Sequence, residues 1–216
     1  MKRRDLLFNS LISAAGLVAL PRVSLAQQCL KSKTPAQTEG PFYPVVDQID
    51  IDADLILVKG SEKEASGKIV IIEGKLSDQH CRPIQGALVE IWQACESGRY
   101  NHPSDPNTAP LDPNFQYWGK AVTDTQGKYR FRTVIPGSYP ADVGWERPPH
   151  VHFKVSKLGY VELITQMYFK GQTLNEKDLI LTRLKKIDQQ KVIVEFKQVK
   201  NTPHPIGIFN ISMEKV

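Results

Sequence analysis

The stretch Arg147–Val155, RPPHVHFKV, sets two imidazoles two residues apart behind a rigid Pro-Pro step. In a strand, residues i and i+2 share a face and i+1 points to the other. His150 and His152 are therefore expected to point together, with Val151, Phe153 and Val155 turned into a core. Similar patterns recur along the chain. Lys68–Gly74 (KIVIIEG) is rich in β-branched residues, Ala87–Trp92 (ALVEIW) alternates, and Tyr129, Phe131 and Thr133 alternate with Arg130 and Arg132. Further strands are expected over 151–156, 161–169, 191–199 and 206–213. Asp124-Thr125-Gln126-Gly127 has turn chemistry between Val122 and Tyr129 and predicts a hairpin. One short helix is expected over Asn175–Lys185, with Asn175 as N-cap, Glu176 and Asp178 in the first turn, and Leu179, Ile180 and Leu184 on one side. Many strands, frequent turns and little helix predict an all-β fold, a β-sandwich or barrel-like core with long loops and one short helix. The proline-rich run HPSDPNTAPLDPNF (102–115) is too long for a simple turn, and loops of this length tend to carry function.

A chain of 216 residues with 41% hydrophobic content can build one substantial core and is too polar for a multi-span membrane protein. Its net charge of +5 is partly local, because residues 1–26 hold Lys2, Arg3, Arg4 and Arg22 against Asp5. Without that segment the charge is +2, which gives no argument for nucleic-acid or anionic-membrane partners. The segment has the form of an export signal: a basic start, an apolar run from Leu6 to Leu20, then Ser24-Leu25-Ala26 as a small-x-small cleavage site. Asn9, Ser10 and Ser13 interrupt the apolar run, which falls below the ~20 residues a spanning helix needs. Paired arginines followed by Asp5-Leu6-Leu7 resemble the twin-arginine type of signal. The expected organisation is an export signal over 1–26, an N-terminal arm and linker over 27–66, and one domain over 67–216, with the product periplasmic and free of the membrane once the signal is removed. Cys29, Cys81 and Cys95 remain, enough for one disulfide in three possible pairings.

Two histidines on one strand face can anchor a transition metal, since imidazole suits zinc, copper and iron alike. By itself H-x-H is a weak signal, because a hydrogen-bonded pair of strand histidines has the same pattern. Tyr100 in WQACESGRYNHPSD and Tyr139 in TVIPGSYPAD sit at strand or loop edges, from which a side chain can turn toward His150 and His152. Taken singly, each tyrosine reads as core filler with a satisfied hydroxyl.

Six segments in order carry a resemblance. TEGPFYP (38–44), GALVEIWQACESGRYNHPSD (86–105), LDPNF (111–115), GKYRFRTVIPGSYP (127–140), RPPHVHFKV (147–155) and LITQMYF (163–169) are similar to the intradiol ring-cleavage dioxygenases. The resemblance extends over roughly Thr34 to Lys170 and implies active-site loops around a non-haem Fe(III) centre. Its ligands would be Tyr100, Tyr139, His150 and His152, two phenolates and two neutral imidazoles suited to a hard cation. The implied reaction opens a catechol-type aromatic diol with O2 to a cis,cis-muconate-type diacid. Tyr139 would be the phenolate that lets go and acts as internal base, while Tyr100 stays. Arg147 would stabilise negative charge on the ring, Gln166 would support the site, and Pro41 and Tyr43 would line the substrate mouth. His102 matches a family position that is not a ligand. The chain departs from the pattern at Ala141-Asp142, where tryptophan is expected, and at Cys95, both of which bear on pocket shape. Having both the arm and a full ligand set favours a homomeric enzyme.

Two alternatives use the same strands. GKLSDQHCRPIQGALVEIW and TDTQGKYRFRTVIPGSY also fit transthyretin-like or collagen-adhesin-B-like β-sandwich modules, which do not catalyse. A zinc or copper site could use the same histidines.

Overall fold

The computed structural model describes residues 32–46, 48 and 50–216; the segment expected as an export signal, and Cys29, lie outside them. Two five-stranded sheets face each other across an apolar core. The first is built on the long strand β1 (Ile69–Asp78), paired antiparallel with β4 (Lys128–Val134) on one side. On its other side run two short parallel strands, β11 (Ile206–Ile208) and β12 (Ile211–Met213), with β10 (Phe196–Lys197) outside β11. The second sheet has the order β3-β2-β7-β8-β9, formed by β2 (Leu88–Trp92), β3 (Trp118–Val122), β7 (His150–Ser156), β8 (Leu163–Phe169) and β9 (Ile193–Val194). A separate ribbon, β5 (Tyr139–Asp142) with β6 (Trp145–Arg147), projects between β4 and β7 in the chain. This is the all-β sandwich that the alternation predicts.

Period-two patterning sets the layers. Val151, Phe153 and Val155 of β7 are fully buried in the main core, where the Phe153 ring meets Tyr129, Phe131 and Phe209 edge-on. His150, His152 and Lys154 therefore face the opposite side of the sheet, beneath the N-terminal arm. The arm is tied down by backbone bonds, Thr34 N–H to Ser212 O and Gln37 N–H to Ile164 O, and further along the chain Leu55 and Ile56 are fully buried in the core.

Four expectations need correction. The Asp124–Gly127 turn forms, with Gly127 N–H bonding Asp124 O at 2.9 Å, but β3 and β4 are not a hairpin. β3 pairs with β2 and β4 with β1, so the turn carries the chain from one sheet to the other. The helix is also displaced. Asn175–Lys185 contains parts of two 3-10 turns, Thr173–Glu176 and Leu181–Arg183, and the α-helix α1 follows at Lys186–Val192. Asn175 spends its side-chain amide on Phe169 O at 2.9 Å instead of capping, Asp178 is engaged elsewhere, and Leu179 is exposed. The run expected as one strand over 191–199 is the end of α1 plus β9 and β10, and that over 206–213 breaks at Phe209, whose N–H bonds Glu73 O. Among the described residues no helix is long and apolar enough to cross a membrane.

Candidate metal centre

β7 presents both histidines to one buried site, each only 2% exposed. The Pro-Pro step orients the first: His150 Nδ1–H donates to Pro148 O at 2.7 Å, which leaves Nε2 as the lone pair. That Nε2 lies 3.3 Å from the Tyr100 hydroxyl. His152 stacks on Trp92, its neighbour on β2, with ring centroids 4.8 Å apart and planes 12° from parallel. Among the described residues, its Nδ1 is buried without a hydrogen-bond partner.

The tyrosines arrive by a close approach of two glycines. Gly98 has φ +83°, and a Cβ there would lie 2.2 Å from Ser138 O; one at Gly137 would lie 2.4 Å from Glu96 O. Only with hydrogen at both positions can the turn after β2 seat against the turn before β5. Tyr100 and Tyr139, the residues just beyond, then meet edge-on with centroids 5.5 Å apart. The Tyr100 N–H is held by Asp105 Oδ2 at 2.7 Å, and Tyr139 pairs with Arg147 across the β5–β6 ribbon.

Arg147 is 3% exposed and each of its nitrogens has a partner. Nε donates to Asp178 Oδ2 at 3.0 Å, NH2 to Gln166 Oε1 at 2.7 Å and to the Tyr168 hydroxyl at 3.2 Å, and NH1 to His150 Nε2 at 3.0 Å. Removing one partner from such a buried pair costs about 3–5 kcal/mol. Gln166 in turn donates to Thr38 O at 2.9 Å, linking the arm to the arginine. Burial holds both imidazoles well below the ordinary histidine range, and the Arg147 charge adds to this. Burial likewise raises the Tyr100 and Tyr139 phenols, an effect that Arg147 opposes at both.

The donor set suits a hard, highly charged cation. Two neutral imidazoles offer lone pairs, one with an unmet buried nitrogen, and two phenols lie where a cation would favour phenolate. Among the described residues no group of three or more His, Cys, Asp or Glu side chains is placed to hold a metal, so a zinc or copper site built from the usual ligands has no third donor here.

The structure brings Tyr100, Tyr139, His150, His152, Arg147 and Gln166 into one cluster. Tyr43 lies beside it, packed edge-on against Trp92 and Trp118, with its hydroxyl 3.4 Å from Glu90 Oε2. Pro41 is exposed, and its neighbour Phe42 makes the contact, with centroids 4.8 Å from Tyr100 and 6.3 Å from Tyr139. His102 faces Phe42 at 5.7 Å, and its Nδ1 accepts the Ser104 N–H. A groove of about 340 Å³ opens nearby, its lining including Pro44, Val45, Asn101, Pro103 and Phe115. Sequence reasoning missed Phe42, Trp92, Tyr168 and Asp178. Tyr168 could have been found, because it sits two residues after Gln166 on the same face of β8. Cys81 is disulfide-bonded, while Cys95 is free and buried, 3.2 Å from Ser97 Oγ.

A family model described as dioxygenase matches residues 38–213. The protocatechuate 3,4-dioxygenase beta chain of Burkholderia cepacia is 37% identical over 160 residues, 72% of this chain and 68% of that protein. A chlorocatechol 1,2-dioxygenase of Pseudomonas sp. (strain P51) is 32% identical over 162 residues, 69% of this chain and 60% of the relative. Among solved structures, an intradiol ring-cleavage dioxygenase from Tetranychus urticae matches with a TM-score of 0.66 at 26% identity, over 85% of this chain and 95% of its own. All of the clustered residues from Thr38 to Asp178 fall inside the family match.

Proposed function

The chain belongs to the intradiol ring-cleavage dioxygenase family, and we propose that this enzyme opens a catechol-type aromatic diol with O2 at a ferric centre held by Tyr100, Tyr139, His150 and His152. The observation that carries the reading is the convergence of two buried phenols and two buried neutral imidazoles around Arg147. A non-catalytic sandwich module has no use for this arrangement, since each buried polar group costs free energy unless something engages it. When bound, the ferric ion would draw electron density from the diol and make a ring carbon reactive toward O2.

The chain's own groups do the rest. His150 is locked by Pro148 O into the tautomer that offers Nε2. Trp92 fixes the plane of the His152 ring. Tyr139 Oη is the proton acceptor for a diol hydroxyl; burial raises that phenol, Arg147 beside it opposes the push in part, and a bound cation would favour the phenolate. The same guanidinium is the cation for negative charge on the opening ring. Phe42 covers Tyr100 and Tyr139 from the arm side and limits water there.

Catechols and O2 are the proposed small-molecule partners, with a cis,cis-muconate-type diacid as product. The export signal over 1–26 and the arm over 27–66 support a periplasmic, homomeric enzyme. Mass spectrometry of the mature N-terminus tests the location, and detection of Met1 there contradicts it. The activity is tested by oxygen uptake with catechol, protocatechuate, hydroxyquinol and larger substituted diols, with product identification. An intradiol diacid from one of them is expected. Absence of uptake with all of them by iron-loaded protein overturns the reading.

A further inference from the structure

We infer that Asp178 is a positioning residue, whose carboxylate fixes the Arg147 guanidinium so that NH1 is the edge presented to the site. The inference rests on the reading of Arg147 as a working cation in this enzyme. Asp178 is fully buried, on the segment between the two 3-10 turns, 31 residues from its partner in the chain. Its Oδ1 accepts the backbone N–H groups of Ile180 at 3.1 Å and Leu181 at 2.7 Å, and Leu181 is anchored in the core at 1% exposure. The carboxylate is thus rigid before it meets the arginine, and its Oδ2 is left for Arg147 Nε at 3.0 Å.

The guanidinium is planar, so holding two of its nitrogens sets the direction of the third. Asp178 holds Nε, while Gln166 and Tyr168 hold NH2. These three partners are themselves held by the fold, Asp178 by two backbone N–H groups, Gln166 through Thr38 O and Tyr168 through Gln37 Oε1. NH1 points at His150 Nε2, a lone pair that a bound cation would claim, so NH1 is the one edge whose partner the working site takes away. Its N–H is then free to donate to an oxygen of the diol. Asp178→Asn keeps the Oδ1 acceptor for Ile180 and Leu181 but sets an amide N–H against Arg147 Nε–H, turning the plane.

Two measurements decide this. In the metal-free protein, the Arg147 Nε–H resonance, assigned with Arg147→Lys, is expected to exchange slowly with solvent and to exchange at least about 10-fold faster in Asp178→Asn. Fast exchange in the wild type, or no change in the variant, overturns the inference, and the wild-type arm holds even if the variant does not fold. In the iron-loaded enzyme, Asp178→Asn is expected to lower kcat roughly 10- to 100-fold, as a misaimed group does, yet to add nothing further in an Arg147→Lys background. An equal loss in both backgrounds shows a merely structural role and overturns the inference. Wild-type protein that consumes no O2 with any diol sinks the functional reading instead, and the exchange measurement, which needs no metal, still decides whether Asp178 holds Arg147.

Discussion

Acidification of the metal-free protein should destabilise it over a definite pH window. His150 and His152 are buried and neutral, with folded-state pKa values well below the ordinary 6.5. Above that value both folded and unfolded chains carry neutral imidazoles, so the pair contributes no pH dependence. Below it the unfolded chain takes up two protons that the folded chain refuses, so stability falls as pH falls, with a limiting slope of about 2.7 kcal/mol per pH unit for two groups. Between pH 7 and 5.5 the loss comes to about 2.5 kcal/mol, reckoned from an unfolded pKa near 6.5 for each. For a chain of this size that is a fall in melting temperature of roughly 5–10 °C. Urea titrations followed by circular dichroism at half-unit pH steps give the slope, and His152→Gln should halve it while His150→Gln/His152→Gln removes it. A flat stability between pH 5.5 and 7.5, or a slope that survives in the double variant, refutes the claim that these imidazoles are held neutral by burial.

The other expectations concern packing. Phe153→Ala, at a fully buried ring enclosed by Tyr129, Phe131 and Phe209, should cost about 3–5 kcal/mol in chemical denaturation; a loss under about 1 kcal/mol would contradict its place in the core. Gly40→Ala meets a backbone at φ +76° with the added methyl 3.3 Å from His152 Cε1, so a loss of about 1–2 kcal/mol is expected together with weaker metal retention on dialysis. Unchanged stability and retention would place the arm away from the site. Gly98→Ala should do more, because its Cβ would stand 2.2 Å from a backbone oxygen and force Tyr100 and Tyr139 apart; normal iron uptake by that variant would contradict the two-glycine contact.

What could be read in the chain was what depends on neighbours in sequence. The facing of His150 and His152 away from Val151 and Phe153 follows from the pleat, whereas Gln166 was offered by the resemblance alone, and the structure sets it opposite His152 on β8. Turn chemistry at Asp124–Gly127 also held locally, but a turn does not state which sheet each flank joins. β3 and β4 part company: β3 pairs along its whole length with β2, and β4 along its whole length with β1. The helix expectation failed for a related reason. Asp178 looks like a first-turn acid until its carboxylate is seen bound to Arg147, and that long-range pair, with its Oδ1 bonds to Ile180 and Leu181, outweighs the local propensity of Asn175–Lys185. Residues whose role depends on a distant partner, such as Phe42 over the tyrosines, left no periodic trace.

The ferric donor set is tested most directly by the visible spectrum of iron-loaded protein, measured beside its iron content. One iron per chain is expected, with a red-brown tyrosinate-to-iron charge-transfer band that Tyr100→Phe and Tyr139→Phe each weaken. Iron bound without colour, or a band indifferent to both substitutions, would contradict it.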